Sequence, residues 1–123
     1  MTDTFLSGNE NRIDSFLYIY DTTIMDIDKI PEKYKEDIRK ANSFLKNEGC
    51  KSVFLFGSLV TGNSNDNSDI DIGVKGLPPE KFFKVYSKLY MNLNNEFHLV
   101  DFDYENTFFS LLEKQGEVEE VGW

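Results

Sequence analysis

Two short segments of this chain carry the residue types that phosphate chemistry needs. An apolar run stops at Gly57-Ser58, and Asp69 and Asp71 follow about ten residues later, two positions apart. Side chains two apart on a strand point to the same face, so these two carboxylates lie side by side and repel each other. A shared pair of divalent metal ions relieves that repulsion and also stabilises in-line displacement at phosphorus. The two segments therefore predict phosphoryl or nucleotidyl transfer.

Each segment also has an ordinary structural explanation. Gly57-Ser58 alone is compatible with a strand-ending turn capped by a serine, and the two aspartates alone with solvent-facing positions of an edge strand. However, glycine lets the backbone approach a phosphate, and the amides after it can donate to an anion, more so if Ser58 begins a helical turn. Asp has poor strand propensity, so two of them opposite a good apolar face need a reason. The combination favours the phosphate and metal site.

The composition limits the class of protein. The chain has 123 residues, 40% of them hydrophobic, which is enough for one domain with a modest core. Its longest apolar runs are too short to span a bilayer, and its acidic, polar start is unlike a secretory signal. We therefore expect a cytoplasmic protein with no membrane partner. The lone Cys50 permits neither an internal disulfide nor a cysteine-based zinc site.

The net charge limits the partners. There are 13 Lys and Arg residues against 22 Asp and Glu residues, so the net charge is −9. Nucleic-acid binding draws much of its affinity from cations placed at phosphates, which argues against an extended nucleic acid as the main partner. A nucleotide carried with magnesium, or a basic protein, fits this charge better.

Apolar periodicity predicts elements in the order α-α-β-β-α-β-α. This order indicates an α+β fold, a small mixed β-sheet of about three to four strands flanked by helices. The first helix covers residues 10–29, and the second follows Pro31 and ends at Gly49. The apolar stripe of the second helix is formed by Tyr34, Ile38, Ala41 and Leu45.

The remaining elements come from alternation and from breakers. The predicted strands are 52–56, 69–74 and 97–102, and the last is apolar on both faces, which favours a central place in the sheet. Pro78-Pro79 open a third helix, and a last helix ends near Gly116. Residues 113–123 are interpreted as an acidic, solvated tail. Trp123 at its end wastes apolar area unless it docks somewhere, which leaves a homo-oligomer as an alternative.

The chemical motifs resemble those of a known family. Gly57-Ser58, then Thr61-Gly62, then Ser68-Asp69-Ile70-Asp71 is similar to the signature of the DNA polymerase β-like nucleotidyltransferase superfamily, and in particular to its minimal, single-domain branch. The resemblance covers roughly residues 35–120. It implies one nucleotidyltransferase-like domain over 1–123, in which residues 1–34 form an N-terminal helical extension.

The resemblance also implies the roles of the site residues. Asp69 and Asp71 hold Mg²⁺, in a one- or two-metal site, while a hydroxyl attacks the α-phosphate of a nucleoside triphosphate and pyrophosphate leaves. Gly57, Ser58 and Ser68 lie beside the phosphates. Ser68 is expected in addition to order its loop by bonding nearby amides.

One position departs from the family pattern. The family uses a third carboxylate on a later strand, with the local pattern apolar-Asp-Leu-Val-Asp, where this chain has Phe97-His98-Leu99-Val100-Asp101. His98 therefore occupies the catalytic position, and strand parity turns Asp101 away from the face that His98 occupies. His98 is a candidate base for the attacking hydroxyl, a candidate metal ligand, or a residue that fills a weakened site.

Three functional hypotheses follow. The first is an active nucleotidyltransferase that modifies a hydroxyl of a protein or small molecule. The second is a degenerate member that binds a nucleotide or metal without turnover. The third rests on the resemblance alone, because such small domains often serve as antitoxins paired with a helical, ribonuclease-like toxin. A net charge of −9 is compatible with a basic helical partner.

Overall fold

The computed structural model of this chain describes residues 26–123. Most of the predicted helix over 10–29, and most of the predicted extension over 1–34, lies outside the described residues. At the end of the predicted helix over 10–29, Ile27–Lys29 form a single 3₁₀ turn that begins after Asp26. Ile30 after the turn is buried, so the described chain joins the core at once.

The first helix packs one stripe of its surface into the core. Helix α1 covers Glu32–Asn47 and begins after Pro31, whose fixed φ suits a helix start. Gly49, with a φ of 96°, takes the chain out of the helix. The predicted stripe is confirmed, and its members are all at most 2% exposed: Tyr34, Ile38, Ala41 and Leu45. A charged residue, Asp37, is buried beside them.

Four strands form one mixed sheet in the order β3-β2-β1-β4. The strands are β1 (Ser52–Phe56), β2 (Ile70–Lys75), β3 (Phe97–Asp101) and β4 (Val118–Glu120). Strand β1 is antiparallel to β2 and to β4, whereas β2 and β3 are parallel. Parallel neighbours need a crossover, which is made here by a 3₁₀ turn, Pro79–Lys81, and helix α3, Phe82–Asn92. The predicted α+β class with a small mixed sheet is confirmed.

Helices cover both faces of the sheet. On one face α1 and α3 pack against the larger apolar cluster, to which the sheet contributes Val53, Leu55, Ile70, Ile72 and Val74. On the other face helix α4 (Asn106–Gln115) packs against a smaller cluster that is mostly aromatic. Its ring pairs lie 4.9–5.8 Å apart between Phe54, Phe56, Phe102 and Phe109. Aromatic rings at such separations and tilted angles attract each other beyond their burial.

The predicted central position of the third strand is wrong. Among the described residues β3 pairs only with β2, so it lies at the edge of the sheet. Its apolar residues alternate between two covered faces, because Phe97 and Leu99 pack against the larger cluster and Val100 against the aromatic one. The strand is apolar on both faces because both faces of the sheet are covered by helices, and not because β3 has a strand on each side.

The predicted solvated tail over 113–123 is wrong in its second half. Val118–Glu120 form strand β4 on β1, and Val121 is only 2% exposed. Trp123 docks on its own chain, because Asn42 Nδ2 donates to its carbonyl oxygen at 2.6 Å and Arg39 lies 5.9 Å from its ring centroid. A three-residue strand with two glutamates carries too little apolar pattern to be seen in the sequence. Trp123 accordingly gives no reason to expect a homo-oligomer.

One glycine in β2 makes room for the aromatic cluster. Gly73 lies on the same face of β2 as Asp71 and Lys75, and the ring of Phe102 fills the space where its side chain would be. Phe102 itself is completely buried. The aromatic cluster can therefore sit directly on the backbone of β2, close to the carboxylate of Asp71.

We predict that Gly73→Ala lowers the free energy of unfolding by at least about 2 kcal/mol, because the added methyl group overlaps the Phe102 ring in a packed core. Urea denaturation measures this. Phe102→Leu takes away the ring that the methyl group would overlap. The loss in free energy of unfolding of the double variant should therefore be smaller, by at least about 1 kcal/mol, than the sum of the losses of the two single variants. Additive losses would show that Phe102 is not the obstacle.

Candidate active site

A glycine in a conformation that other residues rarely adopt ends strand β1. Gly57 has φ 77° and ψ −148°, a region that essentially only glycine occupies. Helix α2, the single turn Ser58–Thr61, starts directly after it. The N–H groups of Val60 and Thr61 donate to the Gly57 carbonyl, at 3.0 and 3.1 Å. The N–H groups of Ser58 and Leu59, at the start of the turn, have no carbonyl partner within the helix, and among residues 26–123 no other backbone acceptor bonds to them. They can therefore donate to an anion.

The loop from α2 to β2 is ordered by its own polar groups and by α1. The Ser68 hydroxyl accepts from the N–H of Asn65 at 2.8 Å, so the predicted loop-ordering role of Ser68 is confirmed. The hydroxyl of Tyr34, on α1, lies 3.0 Å from the Asn65 carbonyl oxygen and 2.9 Å from that of Ser68. The residue before Asp69 is thus tied to the core helix.

The two aspartates and the histidine meet at the start of the parallel pair of strands. Asp71 and His98 are direct neighbours in the β2–β3 register. His98 Nδ1 lies 2.8 Å from Asp71 Oδ1, and His98 Nε2 lies 3.6 Å from Asp69 Oδ2. The imidazole therefore bridges the carboxylates. The side chains of Asp69 and Asp71 are 38% and 22% exposed, so the cluster opens to solvent.

The bridge shifts the pKa of the histidine. The hydrogen bond to Asp71 is the largest effect, and it raises the pKa of His98 above its ordinary value. Partial burial opposes this rise, and the charges of Asp71, Asp69 and Glu96 add to it. A protonated imidazole supplies the positive charge that two adjacent carboxylates need. When His98 is protonated, the chain therefore supplies its own counter-ion for the aspartate pair.

Gly57 and Asp71 fit together. A Cβ atom on Gly57 would overlap Asp71 Oδ2. The missing side chain therefore lets the carboxylate of β2 lie against the turn that begins α2. Glycine is required at this position twice, once for the backbone angles and once for the space.

A buried aspartate that the sequence patterns did not single out positions the strand that carries His98. Asp37, on α1, is 1% exposed and accepts from the N–H groups of Asn94 and Asn95 and from Asn95 Nδ2, at 2.7–3.0 Å. The loop ahead of β3 is thereby fixed to α1. The available signal was an aspartate directly beside Ile38, on the apolar stripe of an amphipathic helix.

Two other charged residues lie away from the cluster. Lys75 is the last residue of β2, and its Nζ lies over the Phe109 ring, 3.7 Å from the ring centroid. Asp101 pairs with Val74 in the register, and its carboxylate accepts from the N–H of Asp103 at 2.9 Å. As parity predicts, Asp101 does not share the face of His98.

The donor set fits a hard cation that brings further ligands with it. Within residues 26–123 no three His, Cys, Asp or Glu side chains surround one metal position. Two carboxylates remain, Asp69 and Asp71, and Mg²⁺ is typically bound by one or two carboxylates together with substrate phosphates and water. The residues present therefore fit magnesium delivered with a nucleotide better than a metal held by the protein alone.

Comparison with known families decides the relationship. The family model described as "Polymerase beta, Nucleotidyltransferase" matches residues 39–118, well over half of the chain. The chain belongs to this nucleotidyltransferase family. The matched residues run from α1 to the start of β4 and include the whole cluster of Gly57, Asp69, Asp71 and His98. A comparison with curated proteins gives no match.

Solved structures similar to this chain cover only part of it. A toxin–antitoxin with AMP-PNP is 28% identical over 59% of this chain and 59% of that chain, with a TM-score of 0.44. A mutant of the toxin–antitoxin MntA-HpeT is 28% identical over 51% of this chain and 55% of that chain, with a TM-score of 0.42. A protein from Sulfolobus solfataricus proposed to be a nucleotidyltransferase is 21% identical over 62% of this chain and 70% of that chain, with a TM-score of 0.40. This chain thus spans less than two thirds of the first two structures.

The described part of the nucleotidyltransferase chain contains no helix that is long and apolar enough to cross a membrane.

We predict that Asp71→Asn lowers the pKa of His98 toward its ordinary value of 6.5, and that Asp69→Asn lowers it less, because its contact is 3.6 Å rather than 2.8 Å. His98 is the only histidine, so its imidazole signals in an NMR pH titration without added metal are unambiguous. Asp101→Asn is the matched control and should leave the pKa unchanged. Equal pKa values in all four proteins would contradict the bridge.

The raised pKa of His98 makes the stability of the fold depend on pH. A raised histidine pKa stabilises the fold fully below the unfolded value of about 6.5, and this contribution is lost as the pH rises through the higher folded value. Since the His98 side chain is 64% exposed, the contribution should be less than about 1 kcal/mol.

Proposed function

We propose that this protein is a cytoplasmic, metal-dependent nucleotidyltransferase that moves a nucleoside monophosphate from a magnesium-bound nucleoside triphosphate to a hydroxyl acceptor. The observation that carries the proposal is the contact of Asp71 with the Gly57 turn, in a chain that belongs to the nucleotidyltransferase family. It brings the carboxylate of Asp71, which shares His98 with Asp69, next to the turn whose first N–H groups have no carbonyl partner within the helix. Carboxylates beside such N–H groups are what a phosphate with its cation requires.

The phosphate side of the proposed site is the turn after β1. In this proposal the N–H groups of Ser58 and Leu59 donate to phosphate oxygens, and Gly57 allows the close approach. Ser68 has a hydroxyl hydrogen left to donate, because its oxygen accepts from Asn65. Lys33 lines a depression together with Ser68 and Asp69, so in this proposal the neutral donors, Lys33 and the cation together balance the phosphate charge.

The metal side is Asp69 and Asp71, which would hold Mg²⁺ by their carboxylate oxygens. Magnesium bound there would withdraw charge from the triphosphate and orient its α-phosphate toward the acceptor. In the transfer, the acceptor oxygen forms a bond to the α-phosphorus, the bond to the bridging oxygen of the β-phosphate breaks, and pyrophosphate leaves. The hydroxyl proton needs an acceptor, and a neutral His98 offers Nε2, since Nδ1 is bonded to Asp71.

His98 also weakens the same site. Its raised pKa favours the protonated form, which cannot accept a proton and which competes with a cation for both carboxylates. An aspartate in its place would instead add a hard oxygen ligand. We therefore propose a slow transferase. The second candidate is a catalytically degenerate protein that binds a nucleotide or serves as an antitoxin-type partner of a helical, ribonuclease-like toxin, and the same bridge supports its loss of catalysis.

We predict that the double variant Asp69→Asn/Asp71→Asn abolishes magnesium-dependent binding of ATP, measured by calorimetry, while circular dichroism shows an intact fold. Without magnesium the double variant should bind ATP at least as well as the wild type, because two negative charges near the phosphates are gone.

The charge-matched control is Asp28→Asn/Asp101→Asn, which removes two charges at positions that do not line the depression of Ser68 and Asp69. It should keep the magnesium dependence of the wild type. Magnesium-dependent binding that survives in the Asp69→Asn/Asp71→Asn variant would refute the metal assignment.

We predict that His98→Asp raises magnesium-dependent transfer by at least about tenfold, equivalent to roughly 1.4 kcal/mol of barrier, because the new carboxylate replaces a competing cation. Release of pyrophosphate from ATP measures the rate. Manganese, which tolerates imidazole better than magnesium does, should partly restore the wild type. A fall in rate on His98→Asp would instead assign His98 a positive role as base or ligand. No activity in either protein with any metal would favour the degenerate candidate.

A further inference from the structure

The outer surface of helix α3 is unusually apolar for a face in contact with water. Phe83, Tyr86, Tyr90 and Met91 are 79%, 39%, 71% and 80% exposed. They recur at helical spacing, so they form one stripe along the three turns of α3. Single exposed apolar residues are ordinary, but contiguous apolar patches on monomers are rare and commonly mark interaction sites.

The stripe continues into a groove at the end of β3. Phe83 lines a cavity of about 600 Å³ together with Leu99, Val100 and Tyr104, and Tyr104 is 83% exposed. Beyond it, Tyr86 and Tyr90 line a second depression of about 320 Å³ with Leu93 and Phe97, and its polar side is formed by Asn94, Asn95 and Glu96. We call the stripe and its two depressions the α3 surface. It is bounded by β3, whose other edge pairs with no strand among residues 26–123.

The charges around the α3 surface are negative. Asp101, Asp103 and Glu105 line the groove at one end, and Glu96 lines the depression at the other. The cations of α3 are directed elsewhere, because Lys84 lies 3.2 Å from Glu48 and Lys88 lies 4.9 Å from the Phe44 ring centroid. An apolar centre with an acidic rim therefore remains without a neighbouring cation of its own helix.

We propose that the α3 surface binds an amphipathic helix of a basic partner protein, whose apolar stripe lies along α3 and whose Lys or Arg residues meet the acidic rim. A helix is the fitting shape, because the exposed side chains form a straight stripe into which the ridges of a second helix can pack. A second copy of this chain fits poorly, because two chains of net charge −9 would bring their acidic rims together.

The proposal is independent of nucleotidyl transfer. Helix α3 covers the sheet face of Ile70 and Ile72, whereas Asp71 and His98 lie on the opposite face, so a partner along α3 does not cover these two side chains. The two places adjoin at Glu96, which lines the depression beside α3 and whose charge raises the pKa of His98. Loss of transfer activity would leave Phe83 and Tyr90 unchanged, and their substitution would leave the aspartates in place.

A displayed library of random peptides of about 16 residues, long enough to form a helix, tests the proposal against the full-length chain. Selected peptides should carry apolar residues at spacings of three and four together with net positive charge. The affinity of a synthesised peptide, measured by fluorescence anisotropy, should fall at least about tenfold on Phe83→Ser and on Tyr90→Ser. Both side chains are more than 70% exposed, so the variants should fold normally.

The matched control is Leu111→Ser, which removes a 50% exposed apolar side chain from α4 on the other face of the sheet, and it should leave the affinity unchanged. Glu96→Gln/Glu105→Gln should weaken binding and reduce its dependence on salt. Peptides without positive charge, or binding that survives Phe83→Ser, would overturn the proposal. Two other results would also overturn it. Sedimentation could show a dimer that Phe83→Ser dissociates, which would make a second copy the occupant. Peptide could bind only to the variant Phe16→Ser/Leu17→Ser, which would make the chain's own N-terminal residues the occupant.

Discussion

The candidate site depends on two sets of hydrogen bonds from one turn of helix α1. Tyr34 fixes the loop before β2 through the carbonyl oxygens of Asn65 and Ser68, and Asp37 fixes the loop before β3 through the N–H groups of Asn94 and Asn95. Two parallel strands must begin at the same level for their first residues to face each other. Since one rigid helix holds both loops, Asp71 and His98 meet within hydrogen-bond distance, and a shift of either loop would separate them.

The same arrangement explains how the chain tolerates a cluster of carboxylates. Buried or adjacent anions are costly unless a cation or N–H donors compensate them. Asp37 is compensated by three N–H donors and stays buried, whereas Asp69 and Asp71 remain partly exposed and share the imidazole of His98. Asp37 and the pair Asp69 and Asp71 thus differ in their partners. Asp37 is satisfied by neutral backbone and amide N–H groups, whereas Asp69 and Asp71 are satisfied by an imidazole that a metal could replace.

The sequence predicted those features that depend on local pattern. The apolar stripe of α1, the strand over residues 52–56 and the turn at Gly57-Ser58 follow from periodicity and from glycine. The shared face of Asp71 and His98 was implied by the family pattern, and parity within β3 turned Asp101 away from it. Features set by tertiary partners were missed or misassigned. Strand β3 looked central because helices cover both of its faces, and β4 was invisible because three residues gain their strand from backbone bonds to β1. Asp37 reads as an ordinary polar helix residue until the loop that it binds is known.

Gly57 is needed for two reasons, the space taken by Asp71 and the positive φ of the turn, and only one of them depends on the aspartate. The need for space disappears once Asp71 is lost, but the need for a positive φ persists as long as the β1 turn leads into α2. A descendant that had lost Asp69 and Asp71 would therefore still need glycine here. Among related chains, the glycine then traces the shared backbone, and only the carboxylates trace the chemistry.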